Sequence, residues 1–137
     1  LQTDFIFTSA VSALARFAAR TVPTYALHFD YVDQANRDKS PGASHCADTG
    51  YAMGMLRNPA PKDTEIGRMM ESYLANFIKT GDPNGPGLPA WPQSSPKDAN
   101  MLVVRDTTAV EPNFRGAQLA TWFRKWTADF GEPFEKP

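Results

Sequence analysis

The sequence predicts an α/β protein, because helical and strand-like hydrophobic patterns alternate along its 137 residues. The segments 65–80 and 116–130 carry apolar residues at helical spacing. The segment 25–32 alternates as a strand does, and 101–104 is a short unbroken apolar run. The predicted order is α-β-loop-α-α-β-α, which has fewer strands than a complete doubly wound sheet needs. The missing strands indicate one part of a larger fold.

The composition excludes several classes of function. The apolar fraction is 42% and the formal net charge is −1, so there is no electrostatic basis for binding nucleic acid or an anionic membrane. The longest apolar runs are far shorter than the roughly 20 residues needed to span a bilayer. The single cysteine, Cys46, cannot form an intrachain disulfide, so cysteine usage does not identify a compartment.

The start of the chain has neither an initiator methionine nor the charged and apolar regions of a signal peptide. It opens with Leu1 and is already apolar from Phe5 to Phe7, whereas a natural amino terminus is more often polar. We therefore expect the chain to begin inside a longer protein.

The first predicted helix ends near Arg20, before Pro23, with Thr8 or Ser9 as the N-cap. Its apolar face consists of Val11, Leu14, Phe17 and Ala18. The predicted strand 25–32 follows, and its alternating apolar positions are Tyr25, Leu27, Phe29 and Tyr31. Polar residues at 33–42 predict a loop, and a short apolar segment follows at 51–56.

The strongest predicted helix runs from Glu65 to Thr80, with Thr64 or Asp63 as its N-cap and Gly81 at its end. Its apolar stripe consists of Ile66, Met69, Met70, Tyr73, Leu74 and Phe77. The Pro- and Gly-rich segment 82–96 predicts irregular structure, before the strand at 101–104. The last helix, 116–130, has an apolar face formed by Leu119, Trp122, Phe123, Trp126 and Phe130. We expect the tail, 131–137, to be frayed.

The candidate catalytic residue is His45, which follows the loop between a predicted strand and a predicted helix. In α/β sheets, ligands bind on loops at the carboxyl ends of strands. Imidazole is also the side chain whose unperturbed pKa suits proton transfer near neutral pH. Taken alone, however, a loop histidine is more simply interpreted as a surface or capping residue.

The neighbours of His45 do not supply a convincing nucleophile. Ser44 and Cys46 flank it, but the side chains of sequence neighbours diverge, and a base must lie within about 3 Å of the proton that it removes. Cys46 is more simply a small buried hydrophobe. Asp48 is most simply a cap for the helix that follows.

The segment 42–54 resembles the catalytic-histidine motif of type-B carboxylesterases and cholinesterases. That motif reads Gly-Ala-x-His-Gly, then an acidic residue, then an aromatic-rich stretch that ends in Gly. The matching residues are Gly42, Ala43, His45, Asp48, Tyr51 and Gly54. Further matches follow in the family's order over residues 3–104. They are Thr3-Asp4 with Phe7, the strand 25–30, the helix 69–80 with its ending Thr80-Gly81-Asp82-Pro83-Asn84, and Trp91-Pro92.

The sequence departs from the motif at three positions. Cys46 stands where the family usually has Gly, and Thr49 and Gly50 replace the more usual Leu and Pro. These changes bear on the shape of the pocket and not on the role of His45.

The resemblance implies that residues 1–137 are the carboxyl-terminal part of an α/β-hydrolase domain: the last strands of its sheet and the helices that pack on them. In that fold the triad runs serine, acid, histidine, so His45 is the catalytic histidine. The chain has no Gly-x-Ser-x-Gly pentapeptide. The serine, the acid and the oxyanion hole are therefore expected in an upstream part of the same esterase, which is the implied partner, and the isolated chain is expected to be inactive.

The resemblance further implies a small-molecule ester as substrate, with no cofactor, no metal, no nucleic acid and no membrane span. It also suggests a secreted or periplasmic enzyme, with a cytoplasmic one left open. Two alternatives stay open. One is a non-catalytic, cholinesterase-like module for protein interaction, and the other is an independent small binding domain that only resembles the family.

Overall fold

The computed structural model describes residues 4–130 and confirms an α/β architecture. A π-helical turn at Asp4–Thr8 leads into α1 (Ser9–Ala18), β1 (Leu27–Phe29), α2 (Ala47–Ala52), α3 (Pro61–Thr80), β2 (Met101–Val104), β3 (Ala109–Glu111) and α4 (Gly116–Phe130). The residues outside this range include Leu1, Thr3 of the family motif and the predicted frayed tail at 131–137. None of the helices within this range combines the length and hydrophobicity that a membrane span requires.

The strands form one sheet in the order β1-β2-β3. Leu102 N donates to Ala26 O at 2.9 Å, and Asp30 N donates to Val104 O at 2.9 Å. Both pairs advance in the same direction along the chain, so β1 and β2 run parallel. Only 105–108 separates β2 from β3, and this connection is too short for a parallel crossover. The sheet is therefore mixed.

The central strand β2 forms the most buried part of the sheet. All four of its side chains are buried, with exposures between 0% and 1%. A strand that is covered on both faces reads as an unbroken apolar run, as in parallel sheets. Its predicted bounds, 101–104, are confirmed.

The other two strands differ from the sequence prediction. The strand predicted at 25–32 is reduced to β1, Leu27–Phe29, because it pairs with a partner of only four residues. The edge strand β3, Ala109–Glu111, was not predicted, since three residues are too few to establish an alternation.

The described residues divide into two compact units. The first comprises the described residues up to His28, then Trp91–Leu102, and those from Val110 onward; the second comprises Phe29–Ala90 and Val103–Ala109. In the first unit, the Trp91 indole donates to Ala26 O at 3.1 Å. The Arg16 side chain donates to Pro96 O at 3.0 Å and lies 5.5 Å from the centre of the Phe123 ring.

The apolar face predicted for α1 is exposed among the described residues, and the opposite face is buried. Val11, Leu14 and Phe17 are 44%, 66% and 50% exposed. The buried side chains are Ser9, Ser12, Ala13 and Ala15. Small side chains allow the close contact of α1 with the π-helical turn and with α4. Thr8 stands at the N-cap position, as predicted, but its backbone is already helical and its side chain makes no capping hydrogen bond.

Helix α3 begins four residues earlier than predicted, at Pro61. Proline is favoured at the first helical position, where its missing N–H loses no helical hydrogen bond. The N-cap is Ala60, and neither Thr64 nor Asp63 takes that position. Asp63 lies three residues further on, where Oδ2 accepts a hydrogen bond from Ala60 N at 3.0 Å.

The rest of the α3 prediction agrees with the structure. Ile66, Met70 and Tyr73 from the predicted stripe are buried, whereas Phe77 at its end is 45% exposed. Gly81 ends the helix in the left-handed conformation, with φ of 77°. For α4 the predicted bounds are confirmed, and Leu119 is buried. The structure does not describe the side chains of Trp126 and Phe130.

Candidate active site

His45 lies in the turn that immediately precedes α2, in the second compact unit. Ala47 N donates to Ser44 O at 3.1 Å and closes this turn. His45, Ser44 and Cys46 are all exposed. The imidazole is therefore accessible to a reactant, as a general base must be.

Cys46 adopts a backbone conformation that favours glycine. Its φ is 63° and its ψ is 14°, in the left-handed region, and it stands at the N-cap of α2. An L-residue is strained in this conformation because of its Cβ atom. The motif's usual glycine at this position therefore has a structural reason.

Two expectations for this turn are wrong. Cys46 is exposed and not a buried hydrophobe. Asp48 does not cap α2, since the helix already begins at Ala47 and Asp48 lies in its first turn.

Three aromatic rings bring together the two ends of the segment that carries His45. The rings of Tyr31 and Tyr51 meet edge to face, with centres 5.7 Å apart and planes at 85°. The Phe29 ring lies 6.3 Å from that of Tyr31 and 5.1 Å from that of Tyr51. Tyr31 and Tyr51 are 2% and 5% exposed. We call Phe29, Tyr31 and Tyr51 the aromatic cluster.

One buried carboxylate bonds to the aromatic cluster and to two backbone segments. Asp63 is 5% exposed. Its Oδ1 accepts hydrogen bonds from Tyr31 Oη at 2.7 Å and from Gln34 N at 3.1 Å, and its Oδ2 accepts one from Ala60 N. Three donors offset the cost of removing a carboxylate from water. Asp63 thereby joins the chain after β1 to the start of α3.

The two buried tyrosine hydroxyls of the cluster differ in their partners. Tyr31 Oη donates to Asp63 and accepts from Gln34 Nε2 at 3.2 Å. Tyr51 Oη makes no hydrogen bond with a protein group among the described residues. Burial, with the nearby Asp63 charge, raises the pKa of Tyr31 to about 12. The same two causes raise the pKa of Tyr51.

Arg37 lies in the loop at 33–42 and connects it to residues outside the loop. Its guanidinium donates to both carboxylate oxygens of Asp106, at 2.7 and 3.0 Å, and to Val32 O at 3.2 Å. It also lies 5.4 Å from the centre of the Tyr31 ring. This pair is largely exposed, so we expect it to stabilise the loop less than the buried bonds of Asp63 do.

Helix α2 packs closely against α3 at Gly67. A Cβ atom at Gly67 would lie 3.0 Å from Leu56 Cδ1 and 4.0 Å from Tyr51 Cδ1. Gly67 is buried, so its missing side chain leaves room for Leu56 and Tyr51. This contact fixes α2, and with it the carboxyl-terminal end of the His45 turn, on the long helix α3.

The sequence located His45 but not the groups that hold its loop. Tyr31 was predicted only as an alternating strand residue, and Asp63 only as a possible N-cap. The sequence does carry one signal, since Asp63 stands two residues after Pro61, a spacing typical of a helix start. Within residues 4–130, no group of three or more His, Cys, Asp or Glu side chains is arranged to hold a metal ion.

Comparison with known proteins finds similarity to carboxylesterases over most of the chain. The family model described as "Carboxylesterase family" matches residues 1–122. Liver carboxylesterase of Sus scrofa is 26% identical over 130 residues, which cover 89% of this chain and 23% of that protein. Carboxylesterase 4A of Bos taurus is 31% identical over 107 residues, which cover 74% of this chain and 19% of that protein.

The fold is similar to solved esterases as well. Juvenile hormone esterase from Manduca sexta, with OTFP covalently attached, superposes with a TM-score of 0.70 at 23% identity. The match covers 90% of this chain and 27% of that one. The prediction that the chain forms part of an α/β-hydrolase fold is thereby confirmed. The chain spans about a fifth of the length of the curated relatives that it matches.

Proposed function

The chain belongs to the carboxylesterase family, and we propose that it supplies the catalytic histidine of a serine esterase, His45. The observation that carries this proposal is the placement of His45. It is exposed in a turn directly before α2, and it stands in a segment with the family's Gly-Ala-x-His pattern. It follows a parallel strand by way of a connecting loop, and such loops form the ligand sites of α/β sheets.

In the proposed reaction, a serine attacks the ester carbonyl while His45 removes the proton from its hydroxyl. The protonated imidazole then donates this proton to the leaving alcohol, and an acyl-enzyme remains. Water attacks the acyl-enzyme with His45 again acting as the base, which releases the acid and restores the serine. A carboxylate holds the imidazole in the required tautomer.

The proposal assigns the serine, the triad acid and the oxyanion hole to an upstream part of the same enzyme. Three facts support this assignment: the matched relatives are several times longer, this chain has no Gly-x-Ser-x-Gly sequence, and the histidine comes last in the triad order of α/β-hydrolases. The alkyl and acyl groups of the substrate are left open, because the proposal assigns the remaining pocket walls to the same upstream part.

Labelling with a serine-directed fluorophosphonate, followed by intact mass analysis, tests the proposal. We expect label on the enzyme that contains this chain and no label on the 137-residue chain alone. A second sample with His45→Ala should label far more slowly. An enzyme that contains this chain, is folded and takes no label would contradict the proposal and favour the non-catalytic interaction module.

A further inference from the structure

The segment that carries His45 is a loop whose two ends are in contact through their side chains. It leaves the aromatic cluster at Tyr31 and returns to it at Tyr51, and these two rings are in edge-to-face contact. Loops that a rigid scaffold positions are frequent carriers of functional residues. The position of His45 therefore depends on how firmly the two ends are held.

Asp63 supplies the polar contacts at the first end of the loop. The hydroxyl of Tyr31 and the backbone N–H of Gln34 both donate to Asp63 Oδ1, at 2.7 and 3.1 Å. Both residues lie just beyond the end of β1, where the chain enters the loop. Because Asp63 lies on the long helix α3, its bonds connect the loop to a rigid element.

Capping of α3 alone does not account for these contacts. A side chain at the third helical position caps a helix by accepting a hydrogen bond from the N-cap N–H, which Asp63 does through Oδ2 to Ala60 N. The two bonds to Oδ1 leave the helix and reach the loop. One of the two carboxylate oxygens of Asp63 therefore bonds to the segment that carries His45.

We propose that Asp63 is a positioning residue for His45, acting through Tyr31 and the base of the loop. This inference rests on the proposed catalytic role of His45. Asp63 would not contact the substrate. It would keep the imidazole within reach of the serine hydroxyl, where a displacement of about 1 Å can cost roughly a hundredfold in rate.

Two matched variants test the inference in the full-length enzyme. Tyr31→Phe removes the hydroxyl that donates to Asp63, whereas Tyr51→Phe removes a hydroxyl that has no protein partner among the described residues. Both changes keep a buried ring in the same cluster. We expect Tyr31→Phe to lower kcat by roughly tenfold to a hundredfold with KM nearly unchanged. Tyr51→Phe should keep both constants within about twofold of the parent enzyme.

Asp63→Asn provides a second test if Tyr31→Phe does not fold. Its amide cannot reproduce all three accepted hydrogen bonds, because one of its two polar atoms is a donor. We expect its kcat to fall together with its rate of fluorophosphonate labelling. All rates are measured on folded enzyme, well below the unfolding temperature, so that a loss of stability alone leaves kcat unchanged.

The outcomes separate this inference from the proposed function. If His45→Ala abolishes turnover while folded Tyr31→Phe and Asp63→Asn retain the kcat of the parent enzyme, the positioning role is wrong and the catalytic role stands. If His45→Ala retains normal turnover, both are wrong. A selective loss of kcat in Tyr31→Phe and Asp63→Asn, with Tyr51→Phe unaffected, supports both.

Discussion

The hydroxyl of Tyr31 lies 2.7 Å from Asp63 Oδ1, and both residues are almost completely buried. Thirty-two positions separate the two residues in the sequence. This single hydrogen bond connects the chain that leaves β1 to the first turn of α3. The loop between these elements carries His45. The hydrogen bond therefore holds one end of the loop on which the proposed catalytic histidine lies.

Replacing Tyr31 by Phe should destabilise the protein. The change leaves a buried carboxylate with one donor fewer, and such a loss costs about 1–3 kcal/mol. Tyr51→Phe is the matched control: removing a buried hydroxyl without a protein partner should leave the free energy of unfolding unchanged or raise it by up to about 1 kcal/mol. Urea unfolding of both variants measures the difference. Equal losses in the two variants would contradict the different roles assigned to the two hydroxyls.

Replacing Cys46 by Gly should stabilise the protein. Relief of the left-handed backbone strain contributes about 1–2 kcal/mol, and the greater flexibility of Gly in the unfolded chain offsets part of it, so we expect a net gain of about 0.5–1 kcal/mol. Ser44→Gly is the control, since Ser44 is a neighbouring exposed residue without positive φ. That control should be neutral or destabilising. A loss of stability in Cys46→Gly would contradict the backbone conformation assigned to Cys46.

The contribution of Tyr31 to stability should disappear at alkaline pH. Its folded-state pKa of about 12 lies above the usual value of about 10. A raised pKa means that the fold favours the protonated hydroxyl. This stabilisation is complete below about pH 10 and is lost as the pH rises through 12. Unfolding free energies of the parent protein and Tyr31→Phe should therefore converge between these pH values. A difference that is independent of pH would contradict the assignment.

The sequence predicted the parts of the fold that local patterns determine. Helices α3 and α4 have long apolar stripes, and β2 is an unbroken apolar run, so each was located from its own residues. Helix α1 shows the limit of this reasoning. Its spacing identified an apolar face, but Leu14 and Phe17 are exposed and small residues such as Ala13 are buried. Periodicity shows that a face exists, whereas burial depends on what the rest of the chain places against it.

For the candidate site, the sequence identified the motif and missed its support. His45 was located by the residues around it. The contact of Asp63 with Tyr31 joins residues far apart in the chain, and no local pattern encodes it. The left-handed conformation of Cys46 was also missed, because nothing about a cysteine indicates positive φ. The one indication of this conformation was the glycine that the family's motif usually has at this position.

The measurement that tests the central claim most directly is ester turnover by the full-length enzyme with His45→Ala. Removal of a triad histidine should lower kcat by several powers of ten, roughly as in other serine hydrolases. The control is His28→Gln, which changes the other histidine of the chain, a β1 residue whose ring lies 4.8 Å from that of Phe114. We expect the control to retain turnover and His45→Ala to lose it. Normal turnover by folded His45→Ala would contradict the assignment of His45 as the catalytic base.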